Sequence, residues 1–310
     1  MASTHGFGTS PGRLNPLLCH HSYGSSWELR ATPDTYGAMA TNKEKKVVKA
    51  YENSDFLNEP KARALRILAE YLEPKTRFEE LGVKDTIVIF GSARIKSQEV
   101  AEAGLKAAQA EGGDIALAER NLAMSKYYEA SRELASRLTT WSLGLGGEDQ
   151  RFVICSGGGP GIMEASNRGA NDAGGYNIGL NVSLPFEQSG NPYSTHELTF
   201  EFHYFFMRKF WFTYLAKAMI VMPGGFGTLD EFMEVMTLVQ TLKIKKHLPV
   251  VLFGTEFWGK VLNFDALIEA GTINASDLDL FFRTDSVDDA FDFLVKELTE
   301  HGLSAPGLTL

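Results

Sequence analysis

Residues 153–164 read VICSGGGPGIME and residues 220–231 read IVMPGGFGTLDE, and these two glycine-rich segments say most about the architecture of the chain. In each, a short apolar run comes directly before the glycines and a helix-like stretch follows them. Glycines at such a strand-to-helix turn let backbone N–H groups converge on an anion, and the start of the helix adds positive potential. A glutamate, Glu164 or Glu231, stands seven residues after the first glycine of each segment. The two segments together predict a phosphate-carrying ligand, such as a nucleotide, with a carboxylate beside each loop.

Short apolar runs alternate with helical patterns along most of the chain. Strands are predicted at 86–90, 152–155, 176–182, 218–222 and 249–253, and helices at 43–73, 161–173, 228–242, 256–270 and 287–300. A long helical region interrupted at Gly112 and Gly113 is predicted to end near Trp141. The aromatic segment 199–212 is predicted to open a helix that runs to about Ala216. Because the strands are apolar throughout, we expect an α/β fold: a doubly wound, Rossmann-like parallel sheet with helices on both faces and ligands at the carboxyl ends of its strands.

Three regions are predicted along the chain. Residues 1–38 are expected to form a disordered extension, 39–85 an N-terminal helical segment, and 86–303 the Rossmann-like nucleotide-binding catalytic domain. The first region has no lysine, two arginines and two acidic residues, and it lacks the apolar core of a secretory signal. An organelle transit segment is an alternative for this acid-poor head, and so is a start of the chain at Met39.

Composition limits the classes of function. The net charge of −9 argues against a nucleic acid polymer as partner, since such proteins usually present a basic face or tail. The two cysteines, Cys19 and Cys155, can form neither a disulfide framework nor a cysteine-based metal site. No apolar stretch approaches the roughly 20 residues that span a bilayer, so no membrane partner is expected. We therefore expect a soluble, cytoplasmic protein.

Well-known nucleotide and metal fingerprints do not fit the two loops. The third glycine of a G-x-G-x-x-G pattern is replaced by Ile162 in the first loop and by Asp230 in the second, which argues against dinucleotide binding. No G-x-x-x-x-G-K-[ST] segment occurs, which argues against P-loop hydrolysis of a triphosphate. The zinc patterns H-E-x-x-H and C-x-x-C are absent, and no metal site is predicted.

Three motifs in order resemble a known family. Residues 223–231 (PGGFGTLDE) are similar to the P-G-G-x-G-T-x-x-E signature of the LONELY GUY family, cytokinin riboside 5′-monophosphate phosphoribohydrolases long labelled lysine decarboxylase-like. Arg208 and Lys209 resemble the family's Arg-Lys pair, and residues 156–164 (SGGGPGIME) resemble its other glycine loop in the form of the longer bacterial members. The resemblance covers about residues 43–300, with an N-terminal extension and a helical insertion around 98–140 as departures.

The resemblance implies hydrolysis of the N-glycosidic bond of a nucleoside 5′-monophosphate, a cytokinin ribotide or AMP, to free base and ribose 5-phosphate. It implies that no cofactor is needed, and that a homodimer or higher homo-oligomer forms with the site near the subunit interface. The lysine decarboxylase label would require pyridoxal phosphate on a lysine, and none of the motifs centres on such a lysine. A non-catalytic nucleotide-binding or carrier protein with the same loops is the alternative.

Arg208 and Glu231 are the predicted catalytic residues. Cleavage of a ribosyl C1′–N bond passes through a positively charged, oxocarbenium-like state, which a nearby carboxylate such as Glu231 can stabilise while it activates water. The alternative for Glu231 is a capping box with Thr228 at the start of a helix. Arginine cannot act as a base at neutral pH, but the guanidinium of Arg208 can bind phosphate or position a carboxylate. A surface ion pair is the alternative for Arg208.

The predicted substrate-binding residues come from both loops and from the residue after Arg208. They are Gly157, Gly158, Met163, Glu164, Lys209, Gly224, Gly225, Gly227 and Thr228. The second loop is expected to hold the 5′-phosphate through backbone N–H groups and the Thr228 hydroxyl, with tight strand–helix packing as the alternative for its glycines. Glu164 is predicted to bind the ribose or base, or else to stabilise its helix start. Met163 is predicted to line the base pocket, with a position in the hydrophobic core as the alternative. Lys209 is predicted to contact the phosphate.

Overall fold

The structure is a computed structural model that describes residues 47–184 and 190–304. The described residues divide into two units, one that ends at Glu52 and one that begins at Asn53. The described part of the first unit contains a 3₁₀ turn at Ala50–Glu52. The disordered extension predicted for residues 1–38 lies outside the described residues, and the predicted boundaries of the two later regions stay predictions. Within the described ranges, no helix combines the length and apolar character needed to cross a membrane.

The second unit contains a seven-stranded sheet and the helices that cover it. The strands are β1 (Thr86–Phe90), β2 (Val153–Ser156), β3 (Asn177–Val182), β4 (Thr199–Phe202), β5 (Ala216–Val221), β6 (Val250–Phe253) and β7 (Phe282–Thr284). The helices are α1 (Ser54–Asn58), α2 (Arg63–Glu80), α3 (Gln98–Glu111), α4 (Ile115–Gly144), α5 (Ile162–Asp172), α6 (Phe205–Tyr214), α7 (Phe226–Gln240), α8 (Thr255–Val261), α9 (Phe264–Glu269) and α10 (Val287–Glu297). Short 3₁₀ turns at Pro60–Ala62, His196–Leu198 and Ala275–Leu280 and a π-helical turn at Leu298–Gly302 complete the list.

The sheet is parallel throughout and has the order β4-β3-β2-β1-β5-β6-β7. One face packs on a core that includes Phe78 of α2, Trp211 of α6 and Phe232 of α7. The other face packs on a core that includes Leu134 of α4 and Leu294 of α10. The predicted α/β, doubly wound parallel sheet with helices on both faces is therefore confirmed. Because the chain reverses its direction of strand addition between β1 and β5, a ligand crevice is expected at the carboxyl ends of these two strands.

The aromatic segment 199–212 is not one helix, so that prediction was wrong. Its first residues form the edge strand β4, in which Phe200 and Phe202 are buried and Glu201 is exposed. This alternation has the period of two residues that a strand requires. Helix α6 begins only at Phe205, and Ala216 starts β5 instead of ending the helix.

Two further segments differ from the prediction. The single helix expected at 256–270 is two short helices, α8 and α9, and the side chain of Asn263 caps α9 by accepting a hydrogen bond from the N–H of Ala266. Strand β7 was not predicted, because three residues are too few to show a period. Strand β7 lies at the edge of the sheet, whereas α8 supplies Phe257 and Val261 to the same cavity as the second glycine loop.

The helical stretch predicted at 43–73 is broken into short turns and α1 before α2 begins at Arg63. Helix α2 then continues through Pro74, beyond the predicted end at residue 73. Proline inside a helix leaves the carbonyl four residues earlier without its usual donor. In this structure that carbonyl belongs to Glu70, and the indole N–H of Trp211 donates to it at 2.9 Å. A side chain from α6 thus supplies the donor that the proline removes, and α2 runs on to Glu80.

Candidate active site

Three strand-to-helix turns meet at the carboxyl edge of the sheet around a cavity of about 770 Å³. They are residues 91–95 after β1, Gly157 after β2 and residues 223–228 after β5. The backbone of Ser92 joins them, since its N–H donates to the carbonyl of Pro223 and its carbonyl accepts from the N–H of Ile162, each at 3.0 Å. The cavity therefore lies where the strand order reverses, as the doubly wound sheet predicts.

The second glycine loop leads into the first turn of α7. Gly224 must be glycine because an added Cβ would overlap Oγ1 of Thr228. At Gly225 and Gly227 an added Cβ would meet no described atom within 4 Å, so packing against the described chain does not require glycine there. Tight packing between strand and helix thus explains the glycine at position 224. Gly225 and Gly227 instead leave open space at the start of a helix, where an anion is stabilised.

Arg208 of α6 and Glu231 of α7 lie together in the wall of this cavity. Arg208 Nη2 is 3.8 Å from Glu231 Oε1, and the two side chains are 15% and 8% exposed. The guanidinium carbon also lies 4.9 Å from the ring centroid of Phe205 and 5.5 Å from that of Phe212. Arg208 Nε is buried and has no hydrogen-bond partner among the described residues. The surface ion pair considered for Arg208 is therefore excluded, because the pair is buried.

Burial controls the ionisation of both groups. It raises the pKa of Glu231 to about 7, although the positive charges of Lys209 and Arg208 oppose the rise. Burial also lowers the pKa of Arg208 from its usual value, against the attraction of Glu231 and Asp230. A carboxyl group with a pKa near 7 gains and loses a proton close to neutral pH, as a general acid or base must.

The capping-box alternative for Thr228 and Glu231 is wrong. Helix α7 begins at Phe226 with Gly225 as its N-cap, so Thr228 is already inside the helix. Both side chains are buried and both line the cavity. The spacing of Thr228 and Glu231 therefore places both side chains at the cavity and does not cap the helix.

The structure brings eight of the eleven predicted site residues to the cavity and places three elsewhere. Those that line it are Arg208, Glu231, Gly157, Met163, Gly224, Gly225, Gly227 and Thr228. The other three are Gly158, Glu164 and Lys209, whose contacts are described next. Met163 is held against the first loop, where a Cβ on Gly157 would overlap its sulfur at 2.6 Å.

The three remaining residues contact other parts of the protein. Glu164 Oε1 accepts a hydrogen bond of 2.7 Å from the hydroxyl of Tyr128, whose pKa is raised by burial and by this carboxylate. Lys209 Nζ lies 2.8 Å from Asp230 Oδ2 and 2.7 Å from Glu234 Oε2. Gly158 has a φ of +69° and donates its N–H to Ser156 Oγ at 3.0 Å. Glu164 thus connects α5 to α4, Lys209 connects α6 to α7, and Gly158 stabilises the first loop.

The cavity residues that were not predicted from the sequence include Ser92 and Arg94 after β1 and Asn121 and Met124 on α4. Ser92 and Arg94 could have been predicted, because they follow β1 and the carboxyl ends of parallel strands share one edge of a sheet. The two α4 residues could not have been predicted, since they lie in the helical insertion and their position depends on how α4 packs.

Comparisons with known proteins support the resemblance. A family model described as "Possible lysine decarboxylase" matches residues 163–294. The chain is 27% identical over 181 residues to the cytokinin riboside 5′-monophosphate phosphoribohydrolase LOG3 of Arabidopsis thaliana, covering 57% of this chain and 76% of that protein. It is 31% identical over 153 residues to the phosphoribohydrolase LOG of Oryza sativa subsp. japonica, covering 48% and 58%. A probable phosphoribohydrolase of the same rice, LOG4, is 29% identical and is covered over 64% of its length. The resemblance to the LONELY GUY family is thereby confirmed.

Solved structures give weaker matches. A Moco carrier protein from Chlamydomonas reinhardtii has a TM-score of 0.42 and 18% identity, covering 70% of this chain and 99% of that chain. A molybdenum cofactor binding protein from Rippkaea orientalis has a TM-score of 0.41 and 14% identity, covering 69% and 95%. Scores this low carry no argument about function.

Proposed function

We propose, on the premise that the chain is related to the LONELY GUY phosphoribohydrolases, that it hydrolyses the N-glycosidic bond of nucleoside 5′-monophosphates. One observation carries the proposal: the buried pair of Arg208 and Glu231 shares a cavity with a glycine turn that opens onto the start of α7. The turn and helix start suit a phosphate, and the carboxyl group suits the reacting end of a ribosyl group.

Each residue has a role in the proposed reaction. The N–H groups of the second loop and the hydroxyl of Thr228 bind the 5′-phosphate. As the C1′–N bond breaks, its electron pair goes to the base nitrogen, which takes up a proton, and water adds to C1′. The carboxylate of Glu231 stabilises the positive charge at the ribose and accepts the proton from the water. Arg208 positions that carboxylate. The products are the free base and ribose 5-phosphate.

The test measures product formation directly. The purified full-length protein is incubated with AMP and with isopentenyladenosine monophosphate, and free base and ribose 5-phosphate are quantified. We expect both products in equal amounts, and we expect adenosine, which lacks the phosphate, to be a much poorer substrate. Glu231→Gln should lower kcat/KM by about 100-fold or more, the usual scale for loss of a proton-transfer group. Arg208→Ala should also lower kcat/KM, because the carboxylate of Glu231 loses the cation that positions it.

Glu234→Gln is the matched control for Glu231→Gln. Glu234 lies on the same helix three residues further on, contacts Lys209 and does not line the cavity. Because the charge of Glu234 also contributes to the raised pKa of Glu231, this variant and the parent are compared at pH 9, where Glu231 is ionised in both, and the variant should keep its turnover. Tight binding of AMP with no base release by the parent protein would refute the proposed hydrolase and support the nucleotide-carrier alternative.

We also propose that the protein forms a homo-oligomer. Support comes from large apolar side chains of α2 and α6 that are about half exposed, Leu65, Leu68, Leu72, Phe205 and Phe206. Size-exclusion chromatography with light scattering should give a mass of at least twice 34.2 kDa. The cytoplasmic location stays a prediction.

A further inference from the structure

Two histidines and a glutamate meet at the amino edge of the sheet, on the side opposite to the glycine-loop cavity. His247 lies in the segment between α7 and β6, three residues before β6 begins at Val250. Glu297 is the last residue of α10, and His301 lies in the π-helical turn that follows it. The three residues come from segments that are 50 residues apart in the chain.

The distances in this cluster are short. His247 Nε2 is 2.6 Å from Glu297 Oε2, and the centroids of the two imidazole rings are 4.3 Å apart. One ligand atom from each residue can be chosen so that all three lie within 4.8 Å of one another. A second carboxylate, that of Glu300, lies 3.9 Å from His301 Nε2 and adds negative charge.

The donor set selects a class of ion. Imidazole nitrogens with one carboxylate oxygen suit zinc and neighbouring divalent transition metals, whereas magnesium and calcium prefer oxygen ligands alone. Zinc binds such atoms at about 2.0–2.2 Å, so small rotations of the three side chains would bring them to one centre. About half of each imidazole is exposed, which gives an ion a path of entry.

We propose that His247, Glu297 and His301 form a binding site for a divalent transition metal ion, with Zn²⁺ as the representative ion. The two imidazoles bind in their neutral form and Glu297 as carboxylate, and a water molecule completes a tetrahedral centre. The ion ties the end of α10 and the π-helical turn to the segment before β6. This site is separate from the proposed hydrolytic site and does not depend on that activity.

Sequence motifs did not indicate this site. Common zinc motifs place their ligands a few residues apart, whereas here two distant segments supply them. Glu297 and His301 are four residues apart, so one helical turn brings them to the same side of the chain.

The test is calorimetric titration of the full-length protein with ZnCl₂, together with thermal unfolding in zinc and in EDTA. The parent carries His5, His20 and His21 replaced by alanine, so that residues outside the described ranges do not add zinc sites. We expect one zinc ion per chain and a higher unfolding temperature in zinc, because an ion that binds only the folded state stabilises it. MgCl₂ and CaCl₂ should give neither effect.

Variants of the ligands decide the assignment. His247→Ala and His301→Ala should each weaken zinc binding by at least about 10-fold and remove the thermal shift. His196→Ala and His203→Ala, the other histidines of the described part, are matched controls and should bind zinc as the parent does. His247→Gln and His301→Gln repeat the test with a larger side chain if an alanine variant does not fold. Zinc affinity equal to that of the parent in these variants, or no zinc binding by the parent, would overturn the proposal.

Discussion

At the scale of single residues, the ionisation of Glu231 is the property with the clearest functional consequence. Its carboxyl group is buried beside Arg208, and the unfavourable desolvation outweighs the attraction of the nearby cations. Buried carboxyl groups favour the protonated form unless opposite charges compensate fully. Neutral pH therefore divides this group between its acid and carboxylate forms.

The pH dependence of the proposed hydrolysis follows from this ionisation. If the carboxylate of Glu231 is the active form, kcat/KM for AMP should fall about tenfold per pH unit below the pKa of about 7 and become level above it. Initial rates of base release between pH 5 and pH 9 at constant ionic strength give the profile. A rate that stays constant between pH 5 and pH 8 would contradict the assignment.

A second variant tests whether local charge sets that midpoint. The negative charge of Asp230 contributes to the raised pKa of Glu231, although less than burial does. Asp230→Asn should therefore move the midpoint of the profile to lower pH. A movement to higher pH would show that another group is titrating.

The motifs alone made Arg208 and Glu231 the candidate catalytic residues, but they did not predict which residues surround the two side chains. The spacing of Thr228 and Glu231 also fitted a capping box, and only the start of α7 at Phe226 removes that alternative. Arg208 and Glu231 are buried because α6 lies beside α7, and short sequence motifs do not show how two helices are placed. For the same reason, the contact of Glu164 with Tyr128 could not be predicted, since the two residues are 36 positions apart.

At the scale of elements, α2 shows how one helix depends on another. Pro74 removes a hydrogen bond from the middle of the helix, and Trp211 of α6 restores a donor to the Glu70 carbonyl. The carboxylate of Glu70 in turn accepts the backbone N–H of His203 at 2.8 Å, just before α6. The two elements therefore complete each other's backbone hydrogen bonds.

A double-mutant cycle tests this dependence. Trp211→Phe should lower the free energy of unfolding by about 1–3 kcal/mol, because a partly buried carbonyl loses its donor in addition to the lost ring area. In the Pro74→Ala background the new N–H of residue 74 can donate to Glu70, so the same Trp211→Phe change should cost less. Urea unfolding of the four proteins gives the coupling, and equal costs in both backgrounds would refute the explanation.

The same region explains where prediction from sequence failed. In a sequence, a proline such as Pro74 predicts the end of a helix. Here the helix continues because Trp211, which is 141 positions from Glu70, donates a hydrogen bond to the Glu70 carbonyl. Strand β4 was missed because its aromatic residues run directly into those of α6, and four residues show too little of a period. The central strands were predictable because each is a short run buried on both faces, as in β1.

At the scale of the whole molecule, the two edges of the sheet differ in chemistry. The carboxyl edge holds the cavity, whereas the amino edge holds a buried charge cluster around Asp85. Arg151 pairs with Asp85, and Lys217 Nζ lies 3.8 Å from Asp85 Oδ1. Arg151 also donates to the carbonyl of Gly302 at 2.9 Å, which links the sheet to the π-helical turn.

Removal of the buried carboxylate should affect stability and not turnover. Asp85→Asn removes a buried negative charge that pairs with Arg151 and Lys217, and it should lower the free energy of unfolding by about 3–5 kcal/mol. Asp149→Asn is the control, because Asp149 is exposed in its pair with Lys84 and should cost under about 1 kcal/mol. Thermal unfolding measures both, and kcat/KM at 25 °C should match the parent in each folded variant. A loss of turnover in folded Asp85→Asn would contradict this separation of the two edges.

The reversal of strand order between β1 and β5 has a consequence for the order of folding. From β1 to β4 the chain adds strands towards one edge of the sheet, and from β5 to β7 it adds them towards the other. The cavity combines the turns after β1 and β2 with the second glycine loop, which follows β5. Pairing of β1 with β5 joins residues such as Phe90 and Val221, and closing so long a loop is slow compared with forming helices. A refolding chain can thus regain much of its helix content before the cavity exists, since the cavity is complete only when β1 and β5 have paired.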